Sequence, residues 1–136
     1  MPDLHRFVDA QRGVHERVTA ELEAGEKRGH WMWFVFPQIA GLGRSAMAQR
    51  YAIESLDEAR AYLAHPVLGP RLRGWAALVR DTEGRTAEQI FGGVDAMKLQ
   101  SSMTLFHAAA PDEAVFADVL TGFFGGEEDP LTRRLV

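Results

Sequence analysis

"RGHWMWFVFPQIAGLGRSA", residues Arg28–Ala46, decides the fold class of this chain. The apolar run from Trp31 to Phe36 is six residues long, a length that suits either a buried strand or one buried helical turn. A strand there would make the protein mixed, whereas a turn leaves it wholly helical. Periodicity inside the run does not separate the two, and Pro37 stops it in either case.

The flanks are helical. Upstream, Leu4, Phe7, Val8, Val14, Val18 and Leu22 recur at helical spacing behind Asp3 as cap and before Gly25, so one amphipathic helix is expected, weakened at Gly13. Downstream, Ser45 is placed to cap "AMAQRYAI", and Ser55-Leu56-Asp57-Glu58 is a capping box opening a helix that stops at His65, before Pro66. A further helix spans Val67 to Asp81. Thr86-Ala87-Glu88-Gln89 opens a short one that ends at Gly92 and Gly93, and Asp95 is expected to cap "AMKLQSSMTLFHAAA". Pro111 is expected at the first position of the next helix, and Asp129-Pro130 begins a last turn. No alternating strand pattern and no repeat emerges. The expected fold is all-α, a single compact bundle of about six to seven helices with an irregular aromatic-rich segment near residues 30–43.

Bulk composition narrows the function classes. At 136 residues, 46% of them apolar and 25% charged, the chain is expected to be one globular domain over residues 1–136, which disfavours a disordered inhibitor. It has no cysteine, so disulfides and thiolate metal sites are excluded, and no secretory leader opens it, so a cytoplasmic location is expected. The longest apolar run is far short of the roughly 18 residues a membrane span needs, so no membrane partner is expected. Net charge is −4 with the basic residues scattered, which disfavours nucleic acid as partner. Of fifteen basic residues only Lys27 and Lys98 are lysine, and only four residues are serine, two of them adjacent at Ser101 and Ser102.

Three constellations bear on chemistry. "GLGRSA", Gly41 to Ala46, fits G-x-G-x-x-[GA] formally but lacks the strand-helix-strand context of a dinucleotide site. What remains is a glycine turn with Arg44 beside it, suited to an anion; its plainer reading is a turn capped by Ser45. On the helix after Gly93, Asp95, Lys98 and Ser102 form a stripe along the edge of the apolar face, as at a pocket rim. Lys98 one turn before a serine would ease deprotonation of the hydroxyl, and Asp95 would hold Lys98 charged; the plainer reading is a cap, its surface partner and tolerated serines. In the aromatic run, two tryptophans and two phenylalanines do not all fit one packing site, so one ring of Trp31 or Trp33 is expected to reach a cleft, with Arg28 and Gln38 supplying hydrogen bonds. His30 beside them is the best-placed general acid or base. The five histidines show no i, i+4 pair and no H-E-x-x-H, so neither a metal nor a cofactor is expected.

The blocks "KRGHWMWFVFPQ", "GLGRS", "YAIESLDEARAYLAHPVLGPRL" and "IFGGVDAMKLQSSMTLF", spread over about Leu4 to Phe106, resemble the bacterial family known as domain of unknown function 1810. That resemblance implies a mainly α-helical fold, tips the aromatic run towards helix or irregular turn, and implies no activity. The order of "FPQ", "AMAQRY", "DEARAYL" and the late lysine helix is similar to the NADAR family, which acts on ADP-ribose-type N-glycosidic substrates. The acidic residue which that family places before its glutamine helix is absent, since Ser45 and Ala46 stand there.

The leading expectation is a small helical protein that binds a small anionic or nucleotide-like ligand. Arg28, Trp31, Trp33, Gln38, Arg44 and Ser102 would line the pocket, and Lys98, Asp95 and His30 would be its chemical groups. The rivals are a protein-interaction module or homo-oligomer that uses exposed aromatics, and a hydrolase or N-glycosidase on ADP-ribose-type substrates.

Overall fold

The computed structural model describes residues 3–136, and among them are ten helices. They are α1 (His5–Arg12), α2 (His15–Glu23), α3 (Met32–Val35), α4 (Ala46–Arg50) and α5 (Leu56–Ala64). There follow α6 (Leu68–Arg80), α7 (Ala87–Phe91), α8 (Gly93–Ala109), α9 (Ala114–Phe124) and α10 (Pro130–Leu135). Among the described residues there is no strand, and an isolated parallel bridge joins Ile39 to Ile53. The all-α expectation holds, with more and shorter helices than expected. The aromatic run is one helical turn, α3, followed by extended backbone at Phe36.

The bundle is built round α8. Ala96, Leu99, Ser101 through Phe106 and Ala109 are all buried, so this helix is covered on nearly every side, as expected for a core helix. Helices α5, α7, α9 and α10 pack on it, and α6 lies against α2, α5 and α9. An aromatic chain runs through the core, with ring centroids 5.1 Å apart for Phe7–Tyr62, 5.4 Å for Tyr62–Phe106 and 5.8 Å for Phe106–Phe116. Each such pair adds about 0.5–1.5 kcal/mol beyond its area burial.

Three boundaries differ from expectation. The single N-terminal helix is split at Gly13, where helix costs about 1 kcal/mol relative to alanine; Asp3 still accepts the His5 N–H at 3.0 Å, but Leu4 occupies the cap position. Asp95 is not the cap of α8. The chain turns from α7 into α8 on Gly92, whose φ of 82° favours glycine, so Asp95 falls inside the first turn. Pro111 precedes α9 by three positions, and Glu113 takes the cap position while its carboxylate binds Arg73, with Oε2 3.0 Å from Nη2. The other caps lie where the sequence puts them. Ser45 accepts from Ala48 N–H, Ser55 from Glu58 N–H and Asp129 from Thr132 N–H, and Thr86 with Gln89 forms a full capping box.

Between α2 and α5 the backbone has little regular structure, yet most of Trp31–Ile39 is buried, so its polar groups need partners from elsewhere. Glu21 Oε1 accepts from Arg28 N–H at 2.6 Å, Gly29 N–H at 2.9 Å and the Trp31 indole N–H at 3.0 Å. Gln11, fully buried, donates from Nε2 to Phe34 O at 2.7 Å and to the Tyr62 hydroxyl at 3.2 Å, while its Oε1 accepts from Arg71. Arg6 donates to Arg50 O and Ala52 O, both at 2.8 Å.

Gln11→Leu keeps the volume but strands Phe34 O, the Tyr62 hydroxyl and one Arg71 N–H, and should cost about 2–4 kcal/mol in urea unfolding; a loss below about 0.5 kcal/mol would contradict this role. Burial is the largest influence on Glu21 and opposes its ionisation, but the Gly29, Arg28 and Trp31 hydrogen bonds with the Lys27 charge outweigh it and lower the pKa. A lowered carboxylate pKa stabilises the fold above the unfolded-state value of about 4.3, and that contribution disappears as pH falls through the folded-state value. The stability gap between the native protein and Glu21→Gln should therefore be greatest near neutrality and shrink on acidification below about pH 4 in pH-resolved denaturation.

Candidate functional site

Both lysines of the chain meet one carboxylate. Lys27 Nζ lies 2.8 Å from Asp95 Oδ2, and Lys98 Nζ lies 3.6 Å from Asp95 Oδ1. Each also stands over one tryptophan of the aromatic run: Lys27 is 5.0 Å from the Trp31 ring centroid and Lys98 is 4.8 Å from that of Trp33. The side chain of Lys27 is 8% exposed and that of Lys98 is 22%, so Lys27 is the inner member and Lys98 the one that meets solvent. Local structure explains the placement. Lys27 is held by its backbone N–H, which donates to Ile90 O at 2.8 Å, and Lys98 follows Asp95 by one turn on α8.

Lys98 opens onto a cleft of about 350 Å³ between the Gly41–Ser45 turn, α8 and the start of α10. Leu42, Ala48, Val94, Met97 and Leu131 form its apolar lining, and Gln38, Arg44, Ser45, Ser101 and Asp129 accompany Lys98 as the polar groups. Val94 and Met97 are each 70% exposed and Leu131 55%, large apolar side chains left at the rim. The floor is tied by hydrogen bonds between α8 and α10. Ser101 Oγ lies 3.0 Å from Asp129 Oδ2 and 3.1 Å from Met97 O, and Asp129 N–H donates to Thr104 Oγ1 at 2.9 Å. The acidic segment before α10 is docked as well, since Gln100 Nε2 donates to Glu127 O at 3.0 Å. The Arg44 guanidinium makes no ion pair among the described residues.

Of the residues singled out from sequence, the structure brings Gln38, Arg44 and Lys98 to one cleft, with the half-buried Trp33 against Lys98 and Asp95 behind it. Trp31 is in the core at 2% exposure, its indole spent on Glu21. Arg28 and His30 are exposed and neither lines the cleft; Arg28 pairs with Glu26 at 3.3 Å. Ser102 is fully buried and its Oγ has no hydrogen-bond partner, whereas its neighbour Ser101 lines the cleft. Sequence reasoning missed Lys27 and Asp129, and of the two adjacent serines it put Ser102 rather than Ser101 on the rim. The scarcity of lysine was the signal for the first, and the Asp129-Pro130 cap for the second.

Asp95→Asn leaves the inner Lys27 ammonium without its ion-pair partner and should cost about 2–4 kcal/mol by chemical denaturation. Lys98→Met removes the longer, more exposed pair and should cost less than about 1 kcal/mol. Equal losses would mean that the two lysines share the carboxylate evenly.

The likeness to known proteins agrees with this architecture. No curated protein matches the chain. A solved structure, that of the conserved hypothetical protein Rv1873 from Mycobacterium tuberculosis, is 54% identical with a TM-score of 0.97, and the match covers 98% of this chain and 96% of that one. A family model described as "Protein of unknown function (DUF1810)" matches residues 1–136, and the chain belongs to that family.

Proposed function

We propose that the protein binds a small molecule with an apolar body and an anionic group in the cleft between the Gly41–Ser45 turn, α8 and α10. The observation that carries this reading is the pairing, in one concave space of about 350 Å³, of an apolar wall with two cations, Arg44 and Lys98. Ligand pockets have this make-up, largely apolar with a few convergent polar groups, and start near 300 Å³ in volume. Arg44 has no ion-pair partner among the described residues to surrender on binding. Lys98 is oriented by Asp95 and the face of Trp33. Gln38 adds an amide that fixes orientation.

The hydrolase and N-glycosidase readings draw less support. Asp95 is committed to two ammonium groups, which makes it an anchor of charge rather than a proton carrier. The Ser101 hydroxyl has one proton to share between Met97 O and Asp129, and that Asp129 oxygen also caps α10. A second reading, a protein-partner surface, rests on the exposed Val94, Met97 and Leu131 at the rim.

A thermal-shift screen against nucleotides, ADP-ribose, phosphorylated metabolites and aliphatic carboxylates tests the proposal. A ligand at 100 times its Kd adds about 2.7 kcal/mol of stability to the folded state. The shift should persist in Arg17→Ala, exposed on α2 away from this cleft, and be lost in both Arg44→Ala and Lys98→Ala. No shift across the panel, combined with concentration-dependent association that Met97→Glu abolishes, would overturn the small-ligand reading in favour of the partner surface.

A further inference from the structure

A second cavity, of about 450 Å³, lies between α2 and α6 and shares no lining residue with the α8–α10 cleft. Its walls are His15, Thr19, Pro70, Arg71, Gly74, Trp75 and Leu78. The His15 and Trp75 rings lie 5.5 Å apart at 44°, and the Trp75 indole N–H donates to Thr19 Oγ1 at 3.0 Å, which fixes both sides of the groove. At Gly74 the groove is open: a Cβ built there would meet nothing within 4 Å.

Arg71 is the anomaly. Its guanidinium is half-buried at the edge of this apolar space and has no carboxylate within ion-pair distance among the described residues. Its one side-chain hydrogen bond runs from Nη1 to the neutral Gln11 Oε1 at 3.2 Å. Gln11 is itself locked by Phe34 O and the Tyr62 hydroxyl, so the arginine is braced from the core side. Among the described residues the Nε–Nη2 edge has no hydrogen-bond partner. That edge is a planar fork of two parallel donors, which matches a carboxylate bidentately.

We infer that the α2–α6 groove is a binding site for a small aromatic carboxylate. The carboxylate sits on the free edge of Arg71, and the ring lies in the space that Gly74 and Pro70 leave open between His15, Trp75 and Leu78. An aromatic ring suits this lining because flat apolar surface and ring edges meet it without leaving a polar group unpaired. A neutral ligand of the same shape would forgo the charge-assisted pair.

The test is a titration of ¹⁵N-labelled protein with 1-naphthaleneacetate, read by NMR at the Trp75 indole N–H and the Thr19 and Gly74 amides, with 1-naphthaleneacetamide as neutral control. Saturable shifts at those three positions are expected, weakened at least about tenfold for the amide, which loses the charge-assisted pair. Gly74→Leu places a side chain in the open groove, where a Cβ meets nothing within 4 Å, and should abolish saturation while the protein stays folded. Arg71→Gln should weaken binding by a similar factor to the amide. Arg44→Ala, in the other cleft, should leave it unchanged. Absence of saturable shifts, equal binding of acid and amide, or binding undiminished in Gly74→Leu would overturn the proposal.

Discussion

The structure depends on how a buried stretch of irregular backbone finds its hydrogen bonds. From Arg28 to Ile53 the chain carries much of the core, yet only α3 and α4 within it are helical, each little more than a turn. An unpaired buried backbone group costs about as much as a lost hydrogen bond, so such a segment stays folded only if something else supplies partners. The first two helices do so. Glu21 closes the entry to α3 by gathering two backbone N–H groups and the Trp31 indole, and Gln11 takes Phe34 O at its far end. Arg6 holds the carbonyls of Arg50 and Ala52, and the bridge between Ile39 and Ile53 joins what is left.

The same clamps place the polar groups of the cleft. With Trp31 drawn inward by Glu21, the following tryptophan is turned outward on the one-turn helix, and Trp33 meets Lys98 of α8. Pro37 then releases the chain into the Gly41–Ser45 turn, which brings Gln38 and Arg44 to the wall facing α8. The opposite wall exists because α10 is bound to α8 through Asp129, Ser101 and Thr104. The cleft thus depends on polar junctions at both of its walls, Glu21 with Trp31 on one side and Asp129 with Ser101 and Thr104 on the other. Gln11 also braces Arg71, so one buried amide supports both the aromatic run and the α2–α6 groove.

Much of the helical framework was legible because its signals are local. Ser45, Ser55, Thr86 and Asp129 cap helices through side chains that reach only two or three residues ahead, and Pro66 follows the end of α5. Where the outcome depended on a choice between adjacent residues, the sequence was ambiguous. Ser101 and Ser102 differ by one step on a helix covered on nearly every side, so no dry-and-wet boundary says which faces the cleft. Trp31 and Trp33 are chemically equivalent candidates until Glu21 claims one of them. Arg28 and His30 were drawn into the site by their nearness in sequence to the aromatics, but both are exposed on the segment that bends at Gly29 and His30.

What the sequence by itself determined is the all-α class and the position of most helix ends, because capping and periodicity are properties of short windows. Only the tertiary structure decided that Lys27 and Lys98 share Asp95, that Trp31 is core and Trp33 rim, and that Arg71 stands without a counter-ion. Those outcomes depend on side chains tens of residues apart competing for the same buried donors and acceptors, and no window of sequence contains that competition.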